Sequence, residues 1–216
     1  MKMKQLSPHV FKLETWVGIK ISMWIVRDNG GITLIDTGLK FMRKKSQKKF
    51  AQKGNLQRIL LTHGHPDHVG ALNQILQSHE VPVYAHRDEH PYLQGEVPYP
   101  GRKKPNRVIE LGTIRAFPKK SEKYDLIAGL RPYHTPGHAP GHTVFHHEAD
   151  DVLIAGDLFT SKKGQLRRPM PKFTADMTTA LESGKEILEH LNPSLISLCH
   201  GEEIAYPMYN QLKHFA

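Results

Sequence analysis

The sequence predicts an α/β fold, and two observations support this prediction. Apolar runs rich in valine and isoleucine alternate with segments whose apolar residues have helical spacing. The alternation occurs in two similar halves, in which residues 32–36 and 152–157 are loosely alike, as an internal duplication would leave them. The chain has 216 residues, enough for one full hydrophobic core, and no interdomain linker interrupts it. We therefore expect a single domain over residues 1–216.

The first half contains four predicted strands and two predicted helices. The strands are residues 19–26, 31–35, 58–61 and 81–85, and the helices are residues 40–52 and 67–78. The second helix is indicated by Val69, Leu72, Ile75 and Leu76, which fall on one face at helical spacing.

The second half repeats this pattern. Its predicted strands are residues 130–133, 143–147, 152–155 and 195–199, and residues 176–191 form an amphipathic helix that ends before Pro193. Two loops, residues 89–106 and 161–174, are rich in proline, glycine and charge. Their apolar side chains either contact a substrate or pack within their own loops; they are Tyr92, Tyr99, Met170 and Phe173.

The segment Thr62-His63-Gly64-His65-Pro66-Asp67-His68 concentrates metal-binding side chains directly after an apolar run. Imidazole nitrogens and carboxylates are common zinc ligands. In an extended segment His63 and His65 project to the same side, and Pro66 suits the first turn of a helix. That turn would bring Asp67 and His68 back towards the same point. One segment could therefore serve two adjacent metal ions.

Three later residues are further candidate ligands. His138 follows the Pro-Gly turn of His134-Thr135-Pro136-Gly137-His138, while Asp157 and His200 each end an apolar strand. Loops held by a rigid scaffold are where functional residues concentrate. All three candidates lie in turns or loops next to predicted strands, and we expect their side chains to meet the histidine-rich segment.

This ordered pattern resembles the metallo-β-lactamase superfamily. The resemblance runs from the Leu34-Ile35-Asp36-Thr37-Gly38 turn to His200, and every expected ligand position is filled. It implies a four-layer αβ/βα sandwich with a metal site at one edge between the sheets, and a metal-dependent hydrolase.

The resemblance also implies a ligand set and a mechanism. It assigns His63, His65 and His138 to one metal ion, and Asp67, His68 and His200 to a second, with Asp157 bridging both. Two divalent ions are expected, zinc first, with manganese and iron accepted by the same donors. A hydroxide between the metals would attack the substrate, and Asp67 would be the catalytic proton shuttle.

Other polar residues have more ordinary interpretations. Asp36 resembles the structural aspartate of the family, and His134 and His142 are expected to brace the ligands by hydrogen bonds. The remaining histidines lack convergent partners in the sequence and are expected to be ordinary surface or core residues. Cys199, the single cysteine, lies in an apolar run and is expected to be a buried structural thiol.

The composition and charge of the chain restrict its expected cellular location and its expected binding partners. The amino terminus lacks a long apolar run and no segment reaches membrane-spanning length, so we expect a cytoplasmic protein without membrane contact. The formal net charge is +9. Most basic groups are expected on solvated faces, whereas those at Arg102 and Lys162 lie in loops that should border the metals and attract an anionic small molecule. No pattern indicates the oligomeric state.

Three functions remain open. The leading hypothesis is hydrolysis of a small ester, thioester or lactone. Against typical lactonases of this fold, Thr160 replaces a tyrosine three residues after Asp157, although Tyr206 or Tyr209 could substitute for it. The alternatives are a mononuclear iron persulfide dioxygenase and a phosphodiesterase or nuclease. The chain lacks room for the extra arms of RNA-processing relatives, so nucleic acid is not the expected partner.

Overall fold

The computed structural model describes residues 1–206, and its first sheet contains seven strands in chain order. These are β1 (Lys2–Gln5), β2 (Val10–Trp16), β3 (Lys20–Asp28), β4 (Gly31–Ile35), β5 (Leu56–Leu60), β6 (Val83–Ala85) and β7 (Ile114–Ala116). β1 to β4 pair antiparallel, and β4 to β7 pair parallel. The parallel strands require crossover connections, and these carry the first helices.

A short hairpin of β8 (Lys119–Lys120) and β9 (Lys123–Tyr124) leads into the second half. The second sheet begins with β10 (Leu130–His134), β11 (Thr143–His147) and β12 (Val152–Ile154). A second hairpin follows, formed by β13 (Thr160–Lys162) and β14 (Gln165–Arg167). The sheet is completed by β15 (Leu195–Ser197), parallel to β12, and β16 (Ile204–Ala205).

The α-helices are α1 (Arg43–Phe50), α2 (Pro66–Val69), α3 (Leu72–Leu76), α4 (His90–Leu93) and α5 (Met177–Leu191). Single 3-10 turns occupy Lys40–Met42, Arg87–Glu89 and Pro171–Phe173. The long helix begins after Asp176, whose carboxylate accepts a hydrogen bond from the Thr179 N–H. None of the helices in the described part of the chain has the length and apolarity that a membrane crossing requires.

The two sheets pack against each other, with helices on their outer faces. Phe145 of β11 belongs to the cluster shared with the first sheet, whereas its neighbour Val144 packs with Ile187 of α5. Successive strand residues point to opposite faces, so β11 contributes to two layers at once. Between the sheets, the Trp24 indole N–H donates to Ser197 Oγ at 2.8 Å. The architecture is the expected four-layer αβ/βα sandwich.

The structure departs from the sequence prediction in several elements. β7 was not predicted, and the predicted loops 89–106 and 161–174 include α4 and the hairpin of β13 and β14. The amino-terminal strands β1 and β2 were not predicted, because Lys12 interrupts the apolar pattern of β2 although its side chain is fully buried. The helix predicted over residues 67–78 is divided into α2 and α3. Thr37 causes the division: its N–H and Oγ donate to the His68 carbonyl at 2.7 and 2.9 Å, which removes that acceptor from the helical ladder.

A buried ion pair near the end of the second sheet should contribute strongly to stability. Lys12 Nζ lies 2.7 Å from Glu203 Oε1; burial raises the pKa of Glu203, but Lys12 and Lys4 together outweigh it and lower this pKa to about 2. We expect Glu203→Gln to lower the free energy of unfolding by about 3 kcal/mol, because it leaves a buried cation without its counter-charge.

Chemical denaturation measures this loss against Glu202→Gln, whose exposed carboxylate should contribute about 1 kcal/mol or less. The Glu203 contribution is fully present above its ordinary pKa of 4.5 and disappears as the pH falls towards 2, because folding lowers this pKa. Equal stability of the two variants at pH 7 would contradict the prediction.

Candidate metal centre

The candidate ligands lie at the carboxyl ends of strands from both sheets. His63 and His65 follow β5, whereas His138, Asp157 and His200 follow β10, β12 and β15 in the second sheet. His65 is the last extended residue before α2, and Pro66 begins that helix. The helical turn carries Asp67 and His68 back towards His63, whose ring centroid lies 4.0 Å from that of His68.

The donor atoms converge on two adjacent positions. His63, His65 and His138 form one group, and Asp67, His68, Cys199 and His200 form another, with donor atoms within 4.8 Å of one another in each. His138 Nε2 lies 3.2 Å from His65 Nδ1, and His200 Nε2 lies 3.2 Å from Asp67 Oδ2. Donors held by one zinc ion in tetrahedral geometry lie about 3.4 Å apart.

Asp157 lies between the two groups. Its Oδ2 is 3.4 Å from His138 Nε2 and 3.1 Å from His200 Nε2, while its Oδ1 is 3.2 Å from His68 Nε2. Oδ2 thus lies close to a ligand of each group, and the Asp157 carboxylate occupies the place that a bridging ligand would need.

Four buried donor atoms at this place lie close to one another, but none makes a hydrogen bond of suitable geometry with a described residue. They are His63 Nε2, His68 Nε2, His200 Nε2 and Asp157 Oδ1. Buried polar atoms without partners are rare, because each one costs the free energy of its lost hydration. The donor set therefore fits metal ions, which would satisfy these lone pairs together.

In His68, His138 and His200 the ring nitrogen that faces away from the site is held from outside. Asp36 Oδ2 accepts from His68 Nδ1 at 2.7 Å, and the Lys20 carbonyl accepts from His200 Nδ1 at 2.6 Å. Thr174 Oγ lies 3.1 Å from His138 Nδ1. Such contacts fix the ring orientation and the tautomer, so that Nε2 faces the interior of the site.

Burial keeps the imidazoles of the first group neutral. It lowers the pKa of His63 well below its ordinary value, that of His65 to about 3, and that of His138 as well. Burial alone would raise the pKa of Asp157, but attraction to His68 and His200 holds it well below the ordinary value. Neutral imidazoles and an ionised carboxylate are the forms that bind metals.

His142 and Asp36 lie where the sequence analysis expected bracing residues. Nε2 of the fully buried His142 accepts a hydrogen bond from the Asp157 N–H at 3.2 Å. This hydrogen bond fixes the backbone at Asp157. Asp36 adopts a φ of 59°, and its Oδ1 accepts the Thr62 N–H at 2.8 Å. Aspartate tolerates this left-handed conformation better than most residues.

Other histidines depart from expectation. His134 is partly exposed and stacks on His86 with ring centroids 3.8 Å apart, so it does not brace the ligands. His9 was expected to lack partners, but its Nδ1 lies 2.8 Å from Asp150 Oδ1 and its ring stacks on His147. The expected buried thiol is found: Cys199 is fully buried and donates to the Ser22 carbonyl at 3.6 Å.

Three residues that the sequence analysis did not select lie against the histidine-rich segments: Thr62, Glu89 and Thr174. Thr62 Oγ lies 3.1 Å from His63 Nδ1 and 2.8 Å from Asp36 Oδ2. Its position directly before His63 is the only sequence signal for this role. Glu89 and Thr174 are distant in sequence from the segments that they contact, and no local pattern marks them.

A cavity of about 330 Å³, here called the Tyr99 groove, adjoins His65 and His138. Its basic residues are Arg102 and Lys172, and Tyr99 and Phe173 supply aromatic surface. Tyr92 stacks on Tyr99 at 4.7 Å and is not part of the lining.

A larger cavity of about 990 Å³, here called the Trp16 groove, adjoins His200. Trp16, Ile19 and Met170 give it an apolar side, and its basic residues are Lys20, Lys162, Lys163 and Arg167. The basic loops expected to border the site therefore do so. Thr160 also lies here, whereas Tyr206 does not line this groove and Tyr209 falls outside the described residues.

The fold and the donor cluster define an αβ/βα metallohydrolase. Residues 17–200 match the family described as the metallo-beta-lactamase superfamily, and the chain belongs to it. It is a metal-dependent hydrolase of that superfamily.

Two curated relatives from Bacillus subtilis span most of the chain. The probable metallo-hydrolase YybB is 36% identical over 95% of this chain and 94% of its own length. The probable metallo-hydrolase YflN is 32% identical over 78% of this chain and 74% of its own length. Among solved structures, a metallo-beta-lactamase from Pontibacter korlensis is similar with a TM-score of 0.75 and 18% identity, covering 99% of this chain and 98% of that one. This similarity shows the fold alone.

The bracing of His68 by Asp36 can be tested by metal affinity. We expect Asp36→Asn to weaken zinc binding about 10- to 100-fold, because an amide accepts less strongly from His68 Nδ1 than a carboxylate does. Asparagine keeps the size and tolerates the positive φ, so the turn itself should persist. Competition with a chromophoric chelator measures the dissociation constant, and an unchanged value would contradict this role of Asp36.

Proposed function

We propose that this chain is a dinuclear metal-dependent hydrolase that cleaves a small ester, thioester or lactone. The observation that carries the proposal is the set of four buried donor atoms without hydrogen-bond partners around Asp157. Coordination of these atoms to metal ions removes the free-energy cost of burying them without partners. Membership of a hydrolase superfamily supports the same reaction class.

The proposed ligands form two sets joined by one carboxylate. His63, His65 and His138 hold the first ion; Asp67, His68 and His200 hold the second; Asp157 contacts both. The two clusters of donor atoms support this division, and the position of Asp157 Oδ2 between His138 and His200 supports the shared role of Asp157. Zinc is the first expectation for both ions, and manganese and iron are the alternatives.

Two bound metal ions would supply a hydroxide nucleophile at neutral pH and would stabilise the negative charge that develops on the substrate. The residues of the chain itself hold the ligands in position and provide a group for proton transfer. The Asp157 N–H bond to His142 keeps the central carboxylate between the ligand groups. Asp67 is partly exposed, with 24% of its side chain accessible, so its Oδ2 can exchange a proton with a leaving group as well as contact His200.

The grooves favour a small substrate with negative charge and an apolar part. The Tyr99 groove and the Trp16 groove both combine basic side chains with aromatic or aliphatic surface. Concentrated positive charge beside a partly desolvated site attracts anions and orients them. We propose that one groove holds the acyl part and the other holds the leaving group.

Several wider expectations accompany the proposal. We propose that residues 1–216 form one domain. A cytoplasmic location and the absence of nucleic-acid and membrane partners stay predictions.

The test is a set of initial rates for zinc-loaded protein and its Asp157→Ala variant. The substrates are a thioester, an acyl-homoserine lactone, a phosphodiester, and a pair of aryl esters that differ only in one carboxylate. We expect turnover of one carboxylic substrate class, faster for the anionic ester. In Asp157→Ala the rate should fall at least about 100-fold and bound metal should decrease, since the carboxylate serves both ions. Glu186→Ala, which removes an exposed carboxylate on α5, should change neither quantity.

Other outcomes distinguish the alternatives. Unchanged metal content in Asp157→Ala contradicts the ligand assignment. Turnover of the phosphodiester alone favours a phosphodiesterase or nuclease. If the wild-type chain hydrolyses no substrate faster than Asp157→Ala does, the proposed hydrolase function is wrong. Oxygen uptake by iron-loaded protein with a persulfide then becomes the decisive assay for a dioxygenase.

A further inference from the structure

Glu89 is a buried carboxylate that the proposed chemistry does not use. It ends the 3-10 turn Arg87–Glu89 after β6, and its side chain is fully inaccessible to solvent. Burying an isolated carboxylate is costly unless hydrogen bonds compensate for the lost water. The groups that surround Glu89 therefore identify what this side chain does.

Three donors surround the carboxylate. Oε1 accepts the Gly141 N–H at 2.8 Å, and Oε2 accepts the Gly64 N–H at 3.0 Å. The Tyr99 hydroxyl also donates to Oε2. Burial and the neighbouring carboxylate raise the pKa of Tyr99 well above its ordinary value, so the hydroxyl stays protonated and can donate. Burial raises the pKa of Glu89, and the three hydrogen bonds oppose this shift because they favour the ionised form, which only accepts.

These donors belong to three separate segments of the site. Gly64 lies between His63 and His65, and Gly141 lies three residues after His138. Tyr99 belongs to the loop that lines the Tyr99 groove, and its ring centroid is 5.4 Å from that of His65. One carboxylate thus connects both segments of the first ligand group to the groove beside them.

The packing leaves little room for another arrangement. A Cβ at Gly64 would lie 1.9 Å from the Tyr99 hydroxyl oxygen, and a Cβ at Gly141 would lie 2.7 Å from Glu89 Cγ. The Gly141 segment approaches Glu89, and the Gly64 segment approaches its partner Tyr99, as closely as glycine allows. The spacing between the two segments is therefore set by this side chain and by the absence of side chains opposite it.

We propose that Glu89 is a positioning residue that sets the separation of His65 and His138 and attaches the Tyr99 loop to the metal centre. The first effect determines metal affinity at the first ligand group, and the second determines substrate affinity in the Tyr99 groove. The proposal rests on the proposed function, because it assumes that this group binds metal and that the groove binds substrate.

Two substitutions separate these effects. Glutamine in place of Glu89 presents an NH2 group, which cannot accept, to at least one of the three donors. We expect Glu89→Gln to weaken zinc binding about 10- to 100-fold and to change the visible absorption of the cobalt-substituted protein, as loss of an outer hydrogen bond does in metal sites. Tyr99→Phe should leave the zinc affinity and the cobalt spectrum unchanged and should raise KM while kcat stays nearly constant.

Glu110→Gln is the matched control, since that glutamate is exposed near Arg107, and it should alter none of these quantities. Wild-type zinc affinity, cobalt spectrum and KM in Glu89→Gln would overturn the proposal while leaving the proposed function intact. Failure of the wild-type chain to bind zinc would overturn the proposed function itself.

A measurement on the wild-type chain tests the proposal even if the Glu89→Gln variant fails to fold. If Glu89 accepts both backbone donors, the Gly64 and Gly141 amides should exchange with deuterium far more slowly than the amides of exposed loops, with or without metal. Exchange of either amide at the rate of an exposed loop would overturn the proposal.

Discussion

Asp157 brings a negative charge into a place where only 4% of the residue is exposed, and imidazole nitrogens surround it at 3.1 to 3.4 Å. Burial of an unpaired carboxylate costs several kcal/mol, so this arrangement requires compensating positive charge. Without metal, His68 and His200 supply this charge, because interactions with neighbouring groups, Asp157 among them, outweigh burial and raise the pKa of both rings, whereas burial keeps the first group neutral. Metal ions would replace those protons as the compensating charge, and the loops at this edge bring the required donor atoms together.

Rigid contacts behind the ligands keep them in position. Asp36 and Thr62 hold the rings of the histidine-rich segment, while His142 fixes the Asp157 amide. Each of these contacts comes from the β-sandwich or from a neighbouring loop. The fold therefore fixes the positions of the donor atoms. The exposed surfaces beside the centre are less constrained, and they are where basic and aromatic residues line the two grooves.

Sequence reasoning recovered what is local or repeated. His63 to His68 are adjacent, and Asp157 and His200 both end apolar strands, so their convergence could be predicted. Glu89 could not, because its partner Gly141 is 52 residues away and only folding brings them together. The break between α2 and α3 also depends on a distant residue, Thr37. The two-sheet architecture was reached through resemblance, since periodicity alone indicates strands but not how sheets stack.

The central claim is that the buried donors form a centre for two metal ions, and the most direct test is metal stoichiometry. Metal-free protein would be titrated with zinc, and bound ions would be counted by native mass spectrometry alongside calorimetry. The account predicts two tightly bound ions per chain, with proton release when they bind. Saturation at one ion, or no tight binding, would contradict it.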